Sequence, residues 1–308
     1  MKVKWLMAVC MLCVQTGFGC DMCNCYLGLN PGYNNNSVGL RWKYRHAFLA
    51  GSGAPLKIQH LEHDTGEPMT SDLNEYHNDI ELFGRIYPHP KVQLLLNIPF
   101  SYNVMTYGSQ KESMNAPGDI TGQAFYQVAN TMPMDSLQTR HRLFVGGGIK
   151  FPTGKSSGAS DIDIPMAHHL LPGTGSTDYL VAVSYIGKKS FFGWNVDVNY
   201  KMNGTSGSGY RYGNTINITG SLFYEWKKDD LTFFPHIGTS FEQGEKDDFN
   251  GETVSASGGT MLWASAGFDV YYGKFALGND IRLPLSSNMS EGMPVDKEIF
   301  VLSLSYNF

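Results

Sequence analysis

The chain has 308 residues with 35 Gly, 18 Phe, 17 Tyr and 5 Trp, only 17 % charged residues and a net charge of −5. A soluble domain carries about 25 % charged residues and about 7 % Gly, so this balance excludes long soluble helices, coiled coils and acidic disorder. The mean hydropathy of −0.23 excludes a polytopic helical membrane protein, and without a dominant basic patch no nucleic-acid partner is expected.

Lys2 and Lys4 precede an apolar run over 5–14, and Gly17-Phe18-Gly19 follows. A charged start, a short apolar run and small residues at the two positions read by a peptidase predict an export signal over 1–19. The run is too short to span a bilayer as a helix. Losing Lys2 and Lys4 takes the net charge from −5 to −7. The alternative processing is lipidation with Cys20 as the first mature residue, although Gly17 stands where such sites carry a larger apolar side chain. A periplasmic Cys-bearing segment is then expected over 20–36, ahead of a single barrel over 37–308.

Cys20, Cys23 and Cys25 are the only Cys of the mature chain. Three close thiolates attract soft metals, Cu(I) and Zn(II) among them. Two other fates compete: a Cys20–Cys23 or Cys20–Cys25 disulfide with one thiol left over, or lipid on Cys20. No other cofactor is expected.

After Gly19 no run of 18 apolar residues exists, so a mature chain that enters a membrane must close into a barrel, where every backbone group is satisfied. The remaining sequence alternates with period two. Val38, Leu40, Trp42 and Tyr44 oppose Arg41, Lys43 and Arg45, and Ile80, Leu82 and Ile86 oppose Asp79, Glu81 and Arg85. An apolar row runs from Val92 through Leu94, Leu96, Ile98, Phe100 and Tyr102 to Val104. Ile120 to Val128 and His141 to Ile149 form the fourth and fifth rows, the latter against Arg140, Arg142 and Lys150. Further rows start at Tyr179, Trp194, Ile216, Leu231, Thr260 and Phe275, and the last joins Phe300, Leu302, Leu304, Tyr306 and Phe308. Twelve antiparallel strands are predicted, an even number.

Connections between these runs alternate in length. Odd ones, such as 49–73, 105–118, 152–175, 244–258 and 286–296, are long; even ones, such as Pro88-His89-Pro90, Lys227-Lys228-Asp229-Asp230 and Gly273-Lys274, are short. Outer-membrane barrels have long external loops and short periplasmic turns. A soluble sandwich also alternates, but its strands are shorter and it has no reason to sort its loops. The fold expected is an antiparallel transmembrane β-barrel of about 12 strands in the outer membrane, with lipid as its surroundings.

The C-terminal Leu304-Ser305-Tyr306-Asn307-Phe308 resembles the terminal strand of bacterial outer-membrane barrels. That resemblance implies recognition by the barrel-assembly machinery through Phe308. Lys150-Phe151-Pro152-Thr153-Gly154, Pro172-Gly173-Thr174-Gly175-Ser176 with Asp178, and Gly193-Trp194 through Tyr200 resemble the meta-pathway phenol-degradation family of outer-membrane transporters. Cys20-Asp21-Met22-Cys23-Asn24-Cys25 followed by Val38 to Arg45 is similar to a Bacteroidota branch of barrels with a Cys-rich mature N-terminus. The resemblance implies a barrel and an outer membrane, and names no binding residue.

The task expected is diffusion of a small solute along a polar lumen, with Arg41, Lys43, Arg45, Asp79, Glu81, Arg140, Arg142 and Lys150 as lining candidates. Facing rows of opposite charge set selectivity in such a pore, or else pair and plug it. A metal-handling accessory using the Cys segment is the alternative. Met132, Met134, Met166, His168 and His169 are further soft-ligand candidates. Gly154-Lys155-Ser156 does not meet the phosphate-loop spacing, and His141, on the lipid-facing phase, has no nucleophile at near positions of its own strand. No enzyme is expected.

Overall fold

The computed structural model describes residues 34–51, 71–131, 138–156, 170–290 and 293–308. Seventeen strands lie among them: β1 (Ser37–Leu49), β2 (Leu73–His89), β3 (Val92–Tyr107), β4 (Gln110–Pro117), β5 (Thr121–Asn130), β6 (Arg140–Lys150), β7 (Asp178–Lys189), β8 (Phe192–Met202), β9 (Tyr210–Arg211), β10 (Thr215–Tyr224), β11 (Trp226–Lys228), β12 (Leu231–Gly244), β13 (Asp248–Phe249), β14 (Glu252–Thr253), β15 (Gly259–Tyr272), β16 (Phe275–Met289) and β17 (Val295–Asn307). Leaving aside β4, β9, β11, β13 and β14, twelve strands pair antiparallel with their neighbours in chain order. The ring closes where β1 meets β17, from Ser37 opposite Asn307 to Phe48 opposite Val295. Closure leaves no free edge in the wall, the condition for a sheet in lipid. All twelve predicted runs are wall strands.

The two faces of the wall differ as the alternation requires. Val38, Leu40 and Trp42 of β1, Leu96, Ile98 and Phe100 of β3, and Leu302 and Leu304 of β17 all point outward and stay exposed. An apolar band of this size is a liability in water and the expected lipid-facing surface of a barrel. The wall strands have 10 to 17 residues, against the ~9–11 that cross the hydrocarbon. Their excess length stands above the band on the long-loop side.

Inward positions are mostly polar, with apolar clusters toward both ends. At the short-turn end Ile186, Phe223 and Phe234 pack with Tyr271. Gly193 makes room for this plug: a Cβ there would lie 2.1 Å from Cζ of Phe223. At the opposite end Leu73 and Met105 meet Leu170, which the chain folds back into the mouth from the β6–β7 connection.

Three connections depart from expectation. The stretch 105–118 is not a loop: β3 and β4 continue as a hairpin, paired from Tyr107–Gln110 down to Phe100–Pro117 around Gly108 at φ 57°. Lys111, Glu112, Ser113 and Asn115 give no alternation to read, because a ribbon outside the membrane needs only its backbone bonds. The eighth run is interrupted at Glu225, whose N–H donates to the Phe191 carbonyl and whose carboxylate pairs with Lys188, and Trp226 resumes as the start of β11, paired with Phe233 of β12. The eleventh connection shrinks to 290–294, as β16 and β17 run past their predicted ends. Outside the wall, β9, β13 and β14 join the 203–214 and 245–258 connections into one small sheet. Asp247 fastens it by accepting hydrogen bonds from Tyr210 Oη at 2.5 Å and from the Gly213 N–H at 2.7 Å.

Candidate functional site in the barrel lumen

The inner row of β1 is set by its register with β2, which puts Arg41 opposite Glu81 and Lys43 opposite Asp79. Arg41 Nη1 lies 3.0 Å from Glu81 Oε2, and its guanidinium sits 4.8 Å from the centre of the Phe83 ring. Arg45 Nε lies 3.8 Å from Asp296 Oδ1. Lys43 is different. It is 8 % exposed, and no carboxylate among the described residues comes within ion-pair distance of it. Asp79 instead accepts a 2.5 Å hydrogen bond from Ser101 Oγ.

Lys150, at the end of β6, is the most heavily held of the predicted cations. Its Nζ lies 2.5 Å from Asp178 Oδ2 and 3.2 Å from Asp119 Oδ2, and donates to Thr174 Oγ1 at 2.7 Å. Asp119 also accepts from the Gly154 and Thr174 N–H groups, both at 2.9 Å, and from Thr174 Oγ1. Asp178 accepts from Ser176 Oγ at 2.7 Å and the Gly204 N–H at 3.0 Å. The Gly154-Lys155-Ser156 segment therefore points its Gly N–H at a carboxylate of its own chain. Together these bonds pin both described arms of the β6–β7 connection, 151–156 and 170–177, over the mouth of the lumen.

Arg142 is 2 % exposed, stacks 4.9 Å from the Phe144 ring and donates to Asn34 Oδ1. That bond ties the described start of the chain to the inside of the wall. Arg140 is half-buried at the short-turn end and donates from Nε to Asn130 Oδ1 at 3.3 Å. The predicted lining residues thus fall into separate groups: Arg41 with Glu81, Lys43 and Arg45 beside Asp79, Lys150 with the mouth loop, and Arg140 and Arg142 toward the short-turn end.

A cavity of about 100 Å³ opens in the long-loop half, between the group of Lys43, Arg45 and Asp79 and that of Lys150. Its walls carry Lys43, Arg45, Lys150 and Lys201 as cations, Asp79 and Asp119 as anions, and Ser101, Asn103, Thr121, Thr174, Asn199, Thr215 and Asn217 as neutral polar groups. Pro99, Leu171, Pro172 and Leu180 supply its apolar part.

A second buried network escaped the sequence. His236 of β12 lies 3.3 Å from Asp280 and 3.9 Å from Asp269, and Arg282 Nε holds Asp280 at 2.8 Å. Alternation places His236 on the inner face with Ser240 and Glu242, but nothing in it distinguishes the residue that finds two carboxylates. On the outer face, His141 Nδ1 and Tyr185 Oη are 2.7 Å apart.

Cys20, Cys23, Cys25, Met132, Met134, Met166, His168 and His169 lie outside the described residues, as does the export signal. Among the described residues no three His, Cys, Asp or Glu side chains are placed to hold a metal.

With this geometry in hand, comparison with solved structures is decisive for the fold. The chain superposes on an outer-membrane channel of Pseudomonas putida F1 with a TM-score of 0.61 and 12 % identity, over 91 % of this chain and 100 % of that one. The chain folds as a bacterial outer-membrane β-barrel. The β domain of the Bordetella autotransporter BrkA is similar at a TM-score of 0.48 and 10 % identity, over 90 % of this chain and 100 % of that one. The monoaromatic hydrocarbon channel CymD gives a TM-score of 0.37 and 8 % identity, over 91 % of each chain. No protein-family model and no curated protein sequence matches the chain. The exposed apolar band and this fold place the barrel in the outer membrane, with its outer face in contact with lipid.

Proposed function

We propose that the barrel is a narrow outer-membrane channel for a small polar solute. The observation that carries this is the cavity inside a closed wall, lined mainly by charged and hydrogen-bonding groups. A barrel serving only as a membrane anchor has no need to bury Lys43, Arg45, Asp119 and Lys150 around a space. Pairing of most of these charges keeps the passage narrow, and the pinned arms of the β6–β7 connection narrow it further at the mouth.

The resemblance to the meta-pathway phenol-degradation family supports the same assignment in a specific way. Lys150, Gly154, Thr174, Ser176 and Asp178, which carry that resemblance, are members of the hydrogen-bonded set that pins the mouth loop. In this chain those residues anchor a constriction. The Bacteroidota likeness rests on the N-terminal Cys pattern and on the β1 row, of which the structure describes only the row.

Liposome swelling tests the assignment. Vesicles carrying the refolded full chain should swell in isosmotic solutions of small polar solutes and slow sharply as solute size rises. Swelling no faster than protein-free vesicles for the smallest solutes would overturn it.

A further inference from the structure

We infer that the cavity beside Lys43 is a binding site for a small, singly charged carboxylate. This rests on the channel assignment only in making the bound ion a transported solute; the site itself stands on the geometry of Lys43.

Three neighbouring cations each have a carboxylate. Arg41 has Glu81 at 3.0 Å, Arg45 has Asp296 at 3.8 Å, and Lys150 has two within 3.2 Å. Lys43 has no ion pair within 4 Å and no hydrogen bond among the described residues, although it is only 8 % exposed. Its electrostatic neighbour is Asp296, whose carboxylate is nearer to Arg45. A buried ammonium without a partner is costly. Nζ of Lys43 is not among the atoms sealed from solvent without a partner, so it meets the cavity that the residue lines. Thr121 and Thr215 line the same cavity, and each carries a hydroxyl. An ammonium beside hydroxyls suits an oxyanion, which accepts from both.

Size and charge narrow the class. A space of about 100 Å³, against the ~150 Å³ of a cavity that takes up benzene, has room for a carboxylate with a few heavy atoms attached. Asp79 and Asp119 on the same walls disfavour a second negative charge.

Formate is the probe. Saturation-transfer NMR on the full chain in deuterated detergent should show transfer to the formate proton, reduced by acetate and unaffected by ammonium. Lys43→Gln should cut the transfer at least fivefold, while Lys43→Arg, which keeps the charge, should retain most of it. Each variant is first checked for the heat-dependent gel shift of a folded barrel. No transfer with the wild-type chain, or equal transfer with folded Lys43→Gln, would overturn the site. If Lys43→Gln does not fold, wild-type transfer that acetate fails to reduce overturns it equally. Formate binding in a chain that gives no liposome swelling would count against the channel and uphold the site. Swelling without formate binding would do the reverse.

Discussion

Replacing Lys150 with Met tests whether the mouth of the barrel is held by charge. The substitution keeps the length of the side chain and removes the ammonium that bridges Asp119 and Asp178, which are 4 % and 0 % exposed at their side chains. Removing one partner of a buried ion pair costs about 3–5 kcal/mol. Asp119 keeps three hydrogen bonds and Asp178 keeps two. These hold the figure to the lower end, about 3 kcal/mol. At ~1.4 kcal/mol per factor of ten, the balance between pinned and released loop shifts about a hundredfold. Trypsin reads this directly. Lys155 is exposed, but its N–H donates to the Pro117 carbonyl at 3.2 Å and its own carbonyl accepts from Gly173 at 3.0 Å. Cleavage after Lys155 therefore requires the loop to open, and its rate follows the open population when opening is fast. The Lys150→Met protein should be cut there about a hundred times faster, with the barrel wall intact. Adding Asp178→Asn should restore much of the protection, since it removes one of the two unpaired charges. An unchanged rate in Lys150→Met would refute the charge-pinned mouth.

Three further outcomes follow from the wall. Leu302→Arg, on the lipid-facing phase of β17, should destabilise the barrel by about 2–4 kcal/mol at the bilayer midplane, measured by denaturant unfolding from vesicles; a change below about 0.5 kcal/mol would show that this face does not meet lipid. Gly193→Leu should destabilise by about 1–3 kcal/mol through overpacking, because even a Cβ there meets the Phe223 ring at 2.1 Å; wild-type unfolding would show the plug to be loose. Phe308 stacks on Tyr306 at 6.4 Å and donates its N–H to the Asn36 carbonyl at 3.0 Å; deleting it should lower the outer-membrane level on cell fractionation while export continues, and an unaltered level would remove it from any role in assembly.

Much of the wall was legible because lipid outside and a polar lumen inside impose opposite demands on successive residues. In β1, Leu40 and Trp42 against Arg41 and Lys43 state both faces at once, and the same holds for Leu302 and Leu304 against Ser303 and Ser305 in β17. The β4 ribbon and the crown of β9, β13 and β14 were not legible. They lie beyond the band where the period is enforced and are held by backbone pairing and by single polar anchors such as Asp247.

The lumen was legible only as a list. Alternation puts Arg41, Lys43, Glu81 and Lys150 on the inner face, but pairing depends on register and on closure of the ring. Register alone places Glu81 across from Arg41. It also places Asp79 across from Lys43, yet Asp79 accepts from Ser101 instead. Register places Asp178 directly across from Lys150, whereas Asp119 reaches it from the short connection ahead of β5, a contact no period announces. For the same reason His236 between Asp269 and Asp280 carried no mark in the sequence.

Planar-bilayer conductance of the refolded full chain tests the central claim most directly. A closed twelve-stranded wall around a narrow polar lumen predicts small discrete current steps in salt, enlarged when Lys150→Met frees the mouth. A bilayer that stays silent with folded wild-type protein and with folded Lys150→Met would contradict it, and the buried charges would then be a plug.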